Sequence, residues 1–195
     1  MAHAYGWRPD QPDDRDHRLA DHVDLPEAAA LPSCVDLRDT GRLAFPIYDQ
    51  GQLGSCTANA IAAALRYEAR TQELADVDPS RLWIYYRERE MEGNVGEDAG
   101  AEIRDGFKVV SKTGFPPEAD WPYVEDHFAE APPLVADTDA KADRVTKYMR
   151  VNVSPTALKQ AIAAGFPVVV GFDVYESIEL DSVAETGILP MPAPG

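Results

Sequence analysis

The residues best suited to chemistry stand in one short stretch, Asp49-Gln50-Gly51-Gln52-Leu53-Gly54-Ser55-Cys56. A cysteine sits where a glycine-bearing loop runs into an alanine-rich segment of helical periodicity. Unpaired N–H groups at a helix start, and the positive end of its dipole, favour a thiolate over a thiol at that position. Cys56 is therefore a candidate nucleophile. The small residues before it, Gly54 and Ser55, leave room for a substrate backbone to approach. Gln50, earlier in the loop, carries an amide that can swing toward the same spot. With the N–H of Cys56 it makes two donors for a tetrahedral oxyanion. The competing interpretation of this spacing is a small buried cysteine at a helix start.

These residues need elements to hold them. Ala58, Ile61, Ala62, Leu65 and Ala69 form an apolar stripe that predicts a helix over residues 55–71. A second helix is predicted over 79–90, with Asp78 as N-cap, Pro79 in the first position, and Leu82, Tyr85, Tyr86 and Arg89 on one side. Residues 92–101 form a loop, and a third helix covers 102–112, with Ile103, Phe107 and Val110 inward and Gly114 past its end. Residues 115–123 are bent by proline, and 131–141 read as a linker or surface loop. Ser154-Pro155 opens a fourth helix that Gly165 closes. Residues 166–174, rich in valine, read as a buried strand, and 189–195 as a proline-rich loop. One strand cannot make a sheet, so the β part reads as begun and cut off.

Composition narrows the partners. A chain of 195 residues with 45% hydrophobic content suits one globular unit or two small lobes sharing a cleft. A formal net charge of -16 repels phosphate backbones and anionic lipid, so no nucleic acid and no membrane partner is expected. Residues 1–32 read as an extended tail or leader, with Pro9, Pro12, Pro26, Pro32 and many aspartates; Tyr5 and Trp7 are expected to dock it on the body. The N-terminus lacks the basic start and apolar run of a secretory signal, so a cytoplasmic location is expected. Cys34 and Cys56 are the two cysteines, too few for a disulfide framework, and Cys34 is expected to be a packed, inert thiol. No zinc-ligand spacing and no phosphate loop occurs, so neither metal nor cofactor is expected. Asp49 reads as a loop-fixing carboxylate and the Tyr85–Tyr86 pair as packing. His3, His17, His22 and His127 each read as surface imidazoles.

The segments LPSCVDLR (31–38) and DQGQLGSC (49–56), followed by an alanine-rich helix, resemble the mature start and nucleophile segment of papain-like cysteine peptidases. Within that family QGQLGSCTANA (50–60) is similar to the bacterial, xylellain-like branch. The likeness continues through SRLWIYY (80–86), GEDAGAEIRDG (96–106), WPY (121–123) and LKQAIAAGFPVVVGFDVY (158–175), and so covers nearly the whole chain. It implies an α+β, papain-like two-lobed fold with the active site between the lobes. Residues 1–30 would be a propeptide-like leader over the cleft, anchored by Tyr5-Gly6-Trp7; 31–130 a mostly helical lobe; and 131–195 the start of a β-rich lobe. The resemblance makes Cys56 the nucleophile and Gln50 the oxyanion donor, and puts Asp98, Ala99 and Gly100 along the non-primed cleft, where a glycine backbone pairs with the peptide substrate. The implied activity is hydrolysis of peptide bonds through a Cys56 thioester, on peptide or protein substrates and with no cofactor. Leu53 stands where plant members have a half-cystine, and Thr57 where a tryptophan often follows the nucleophile. The family's His and Asn lie about 130–150 residues beyond the cysteine. No histidine of this sequence stands there, so a downstream segment or a second chain is expected to supply both. Two alternatives remain: a papain-like peptide-binding protein without catalysis, and a thiol protein using Cys56 in redox or acyl-transfer chemistry.

Overall fold

The computed structural model describes residues 5–191, so His3 and residues 192–195 of the expected terminal loop lie outside the described residues. Alanine is the least costly residue in a helix and lets neighbours approach closely. Helix α1 (Cys56–Thr71) uses both properties, with Ala58, Ile61 and Ala62 fully buried. Against it lies α2 (Arg81–Glu92), which buries Leu82, Trp83, Ile84, Tyr85 and Tyr86 and so has little solvent face. Helix α3 (Ile103–Lys112) adds Val109 and Val110 to the same core. Burial of each large apolar side chain stabilises the fold by about 1.5–3 kcal/mol.

Helix α2 begins later than its sequence pattern predicts. Ser80 is the N-cap: its hydroxyl accepts from the Trp83 N–H at 3.2 Å and donates to the Trp121 carbonyl at 2.7 Å. Asp78, the expected cap, instead accepts the Tyr48 hydroxyl at 2.5 Å, and Pro79 pairs with Pro117 in an isolated bridge. Tertiary partners thus draw both residues off the helix axis. Gly93, at φ 77, ends α2 in the left-handed conformation that a glycine adopts without strain.

Two further expectations are corrected. Residues 131–141 hold a helix, α4 (Leu134–Asp139), with Ala136 and Ala140 in the core. Asp137 fixes it by accepting from Trp83 Nε1 at 2.8 Å and from Arg87. After α5 (Pro155–Ala163), capped by the Ser154 hydroxyl at 3.1 Å from the Ala157 N–H, residues 166–174 form no strand. Val170 and Phe172 are 53% and 52% exposed, because no neighbouring strand covers them among the described residues. A short helix, α6 (Asp181–Thr186), follows. The expected β-rich lobe is therefore not present as a sheet among the described residues, and the structure is mostly helical.

The sheet that is present is small: β1 (Trp7–Arg8) pairs in parallel with β2 (Ala101–Glu102). It ties the N-terminal tail to the start of α3. Asp10 and Asp16 of the tail have specific partners. Arg104 of α3 binds Asp16 at 2.6 Å and the Gln11 carbonyl at 2.5 Å, while its N–H donates to Asp10 at 3.0 Å. Arg150 binds the other oxygen of Asp10 at 2.5 Å. Leu19, 4% exposed, plugs the tail into the body, and its N–H donates to the Arg150 carbonyl at 2.9 Å.

Candidate active site

Cys56 is the first residue of α1 and is partly buried. Burial pushes its thiol up from the ordinary value; the backbone N–H groups of Gly6, Thr57 and Trp7 pull the other way, and Glu88 adds to the rise. The helix start alone leads to the opposite expectation, a favoured thiolate. Desolvation by burial outweighs it.

The loop before Cys56 is fastened along its length. Asp49 accepts from the Gly51 N–H at 2.9 Å, which holds the turn at Gly51. Gln52 donates its N–H to Glu125 at 2.9 Å. Arg81 donates to the Asp49 carbonyl at 3.0 Å and to Asn59 of α1 at 3.1 Å, with its guanidinium stacked between Tyr48 and Tyr123 at 4.6 and 4.2 Å. Tyr123 donates to the Gln50 carbonyl at 2.8 Å, so the Ser55 hydroxyl 2.5 Å away must donate to Tyr123 while accepting from Asn59 Nδ2 at 3.0 Å. The Gln50 amide donates to the Leu53 carbonyl at 2.9 Å, within its own loop. Ser55 is buried and turned away from solvent, so its hydroxyl belongs to this framework. Fixed donors of this kind suit a site that must hold a developing negative charge without rearranging.

The facing wall is the 92–101 loop. Arg89, fully buried, donates to the carbonyls of Val95 at 2.7 Å, Glu97 at 3.1 Å and Phe128, and its guanidinium lies 4.1 Å from the centre of the Tyr85 ring. Asp98 accepts the Gly54 N–H at 3.0 Å from both oxygens and also takes the Tyr85 hydroxyl. Its carboxylate thus clamps the two walls together. Ala99 is partly buried beside it. Gly100 donates its N–H to the Tyr85 hydroxyl at 3.2 Å and sits at φ 68.

The tail crosses between these walls. The Ala101 N–H donates to the Gly6 carbonyl at 2.8 Å. A Cβ on Gly6 would lie 1.6 Å from the Gly54 carbonyl oxygen, and one on Gly100 1.8 Å from that of Gly6. Backbone packs on backbone with no room for a side chain. The Trp7 ring lies against Gly171, where a Cβ would meet it at 2.0 Å, and the Tyr5 hydroxyl donates to Glu179. Extended main chain therefore occupies the edge that starts at Gly100, directly above Cys56.

Several chemistry-bearing residues lie elsewhere. Cys34 is exposed, which corrects the expectation of a packed thiol: the loop around it leaves its side chain in solvent. His17 and His22 contact each other in the tail at 5.3 Å, and His127 closes a single 3-10 turn beyond Tyr123; none of them is among the groups acting on the Cys56 thiol. Among the described residues no group of three or more acidic, histidine or cysteine side chains could hold a metal, and no helix is long and apolar enough to cross a membrane. The sequence alone does not point to Tyr123, Arg81 or Glu88. Glu88 alone leaves a signal there, as a carboxylate one turn beyond Tyr85 on the buried side of α2.

Residues 31–186 match the family model described as papain family cysteine protease. An uncharacterised peptidase C1-like protein of Acanthamoeba polyphaga mimivirus is 42% identical over 153 residues, 74% of this chain and 49% of that protein. A cathepsin L-like proteinase of Phaedon cochleariae is 30% identical over 71% of this chain and 41% of its own. The chain thus spans about half the length of the curated relatives it matches. The crystal structure of xylellain, a cysteine protease from Xylella fastidiosa, superposes with a TM-score of 0.75 at 38% identity, over 84% of this chain and 64% of that one. A family model over residues 31–186, a relative 42% identical over 74% of the chain and the likeness to xylellain agree, and the chain belongs to the papain family of cysteine proteases.

Proposed function

We propose that this chain carries the nucleophile, the oxyanion loop and one cleft wall of a peptidase that hydrolyses peptide bonds through a thioester on Cys56. The observation that carries this reading is Cys56 at the start of α1, directly beneath extended backbone held by the Ala101 N–H. That edge is where a peptide main chain can be gripped without reference to its side chains. In the proposed cycle the Cys56 sulfur attacks the scissile carbonyl, and the Cys56 N–H with the Gln50 amide holds the oxyanion. An imidazole takes the thiol proton and gives it to the leaving amine, after which water hydrolyses the thioester. That imidazole and the asparagine orienting it come from a downstream segment or a second chain, which also completes a β-rich lobe. Residues 1–30 act as a leader that fills the cleft.

A peptidyl fluoromethyl ketone tests the reading, because its capture needs both a nucleophile and a peptide-binding edge. Chain lacking residues 1–30 should be labelled at Cys56 and not at the exposed Cys34, and faster than the full chain. Equal labelling of both thiols at the rate of a free thiol would reject a formed cleft. A second reading, a peptide-binding relative without catalysis, is favoured by the burial that pushes the Cys56 thiol up. It predicts saturable peptide binding with no covalent capture.

A further inference from the structure

Glu88 lies on α2 with none of its surface exposed, and the proposed reaction leaves it unused. Its Oε2 accepts from the Thr57 hydroxyl at 2.9 Å. Its Oε1 has no hydrogen-bond partner among the described residues. That oxygen points at Gly106 of α3, where an added Cβ would lie 2.2 Å away. Thr57 directly follows Cys56 in the first turn of α1. A single hydroxyl–carboxyl contact therefore joins the turn that carries the nucleophile to the interior of α2.

The charged and titratable groups around this carboxyl are few. Arg89 follows it on α2, but its guanidinium is committed to the carbonyls of Tyr85, Val95, Glu97 and Phe128. Asp105 faces it from α3, and the Cys56 thiol from α1. No cation is paired with Glu88 among the described residues, and one hydroxyl donor is poor solvation for a carboxylate. Burial pushes the Glu88 carboxyl up to about 8; Thr57 and Arg89 pull it back, and Asp105 adds to the rise.

We propose that Glu88 is a positioning residue for Cys56: with its proton in place it holds the first turn of α1 through Thr57, and once that proton is lost to solvent its negative charge disfavours the thiolate. Glu88 then sets an alkaline limit on the nucleophile from within the helical core. This rests on Cys56 being the reactive thiol, as proposed above.

The experiment is the pH dependence, from 5.5 to 10, of iodoacetamide labelling at Cys56 in the full chain, with Cys34 as internal control. Wild type is compared with Glu88→Gln, which keeps the shape and removes the charge, and with Thr57→Val, which removes the hydroxyl. Glu88→Gln should match wild type at low pH and label Cys56 about threefold faster or more at pH 9, with Cys34 unchanged. Thr57→Val should change the Cys56 rate at low pH as well, because the hold on the turn is gone. Superimposed Cys56 profiles for wild type and Glu88→Gln would overturn the proposal. If Glu88→Gln does not fold, carbon-13 NMR of the glutamate carboxyls in wild type decides: a buried resonance titrating near pH 8 supports it, and titration of every glutamate below pH 6 overturns it. Peptidyl-probe capture is scored separately, so a failed peptidase reading leaves the alkylation result interpretable.

Discussion

Replacing Glu88 by glutamine should change how stability depends on pH, by an amount that follows from its burial. The folded chain holds the carboxyl at about 8 against an ordinary value of 4.5. Between those values the unfolded chain releases a proton that the folded chain keeps, so stability falls as pH rises through that window and levels off above it. Each pH unit in the window is worth about 1.4 kcal/mol, which sets a ceiling of about 5 kcal/mol by pH 8. Glutamine has no proton to lose. Wild type and Glu88→Gln should therefore differ by a constant amount below pH 4.5 and diverge steadily toward pH 8, with the variant gaining. Urea unfolding at several pH values measures this directly: at a slope of about 1–3 kcal/mol per molar urea, even half of the ceiling moves the midpoint by about 1 M or more. Other carboxylates do not confuse the comparison. Asp76, held down by Arg66 and Arg70, lends stability that is lost in acid, but equally in both proteins. Parallel stability curves between pH 5 and 8 would refute the reasoning, since they would mean that Glu88 is ionised in the folded chain throughout.

Three further outcomes follow from the cleft. Gly100→Ala places a Cβ in the Gly6 carbonyl and strains a residue at φ 68, so it should dislodge the tail and speed alkylation of Cys56 severalfold; an unchanged rate would mean that the tail does not shield the thiol. Asp98→Ala strips the acceptor from the Gly54 N–H and the Tyr85 hydroxyl, and should cost about 1–3 kcal/mol in urea unfolding. Arg104→Gln removes the paired contacts to Asp16, so limited proteolysis should cut within residues 10–20 faster, while the urea midpoint of the body moves little.

The three helices around Cys56 are legible because each carries its apolar residues at helical spacing. Ala58, Ile61 and Ala62 alone specify the inner face of α1. What the sequence hid was settled by contacts between distant segments. Nothing local makes LVADTD a helix; Asp137 meeting Trp83 and Arg87 does. Asp78 looked like a cap because Pro79 follows it, yet the Tyr48 hydroxyl claims its carboxylate. The valines at 168–170 mark a segment meant for burial, but a strand exists only with a partner, and none stands beside it among the described residues. In the site, the segment around Asp98 could be placed on the cleft by resemblance, whereas its grip on Gly54 spans 44 positions and leaves no local trace. The direction in which the Cys56 thiol moves is hidden from the sequence for the same reason. A helix start can be read from sequence; the burial that desolvates Cys56 becomes evident only when the chain is folded.

The crossing of Gly6, Gly54 and Gly100 also bears on what else can lie over Cys56. A peptide with a side chain in the place of Gly6 would drive its Cβ into the Gly54 carbonyl, so on the edge at Ala101 it must bring a glycine to that position or ride higher than the tail does. The tail lies in a groove that only a bare backbone enters, and it enters parallel to β2. On the function proposed above, a tail seated at that depth is out of register with a peptide that carries side chains, so it covers Cys56 without being cut.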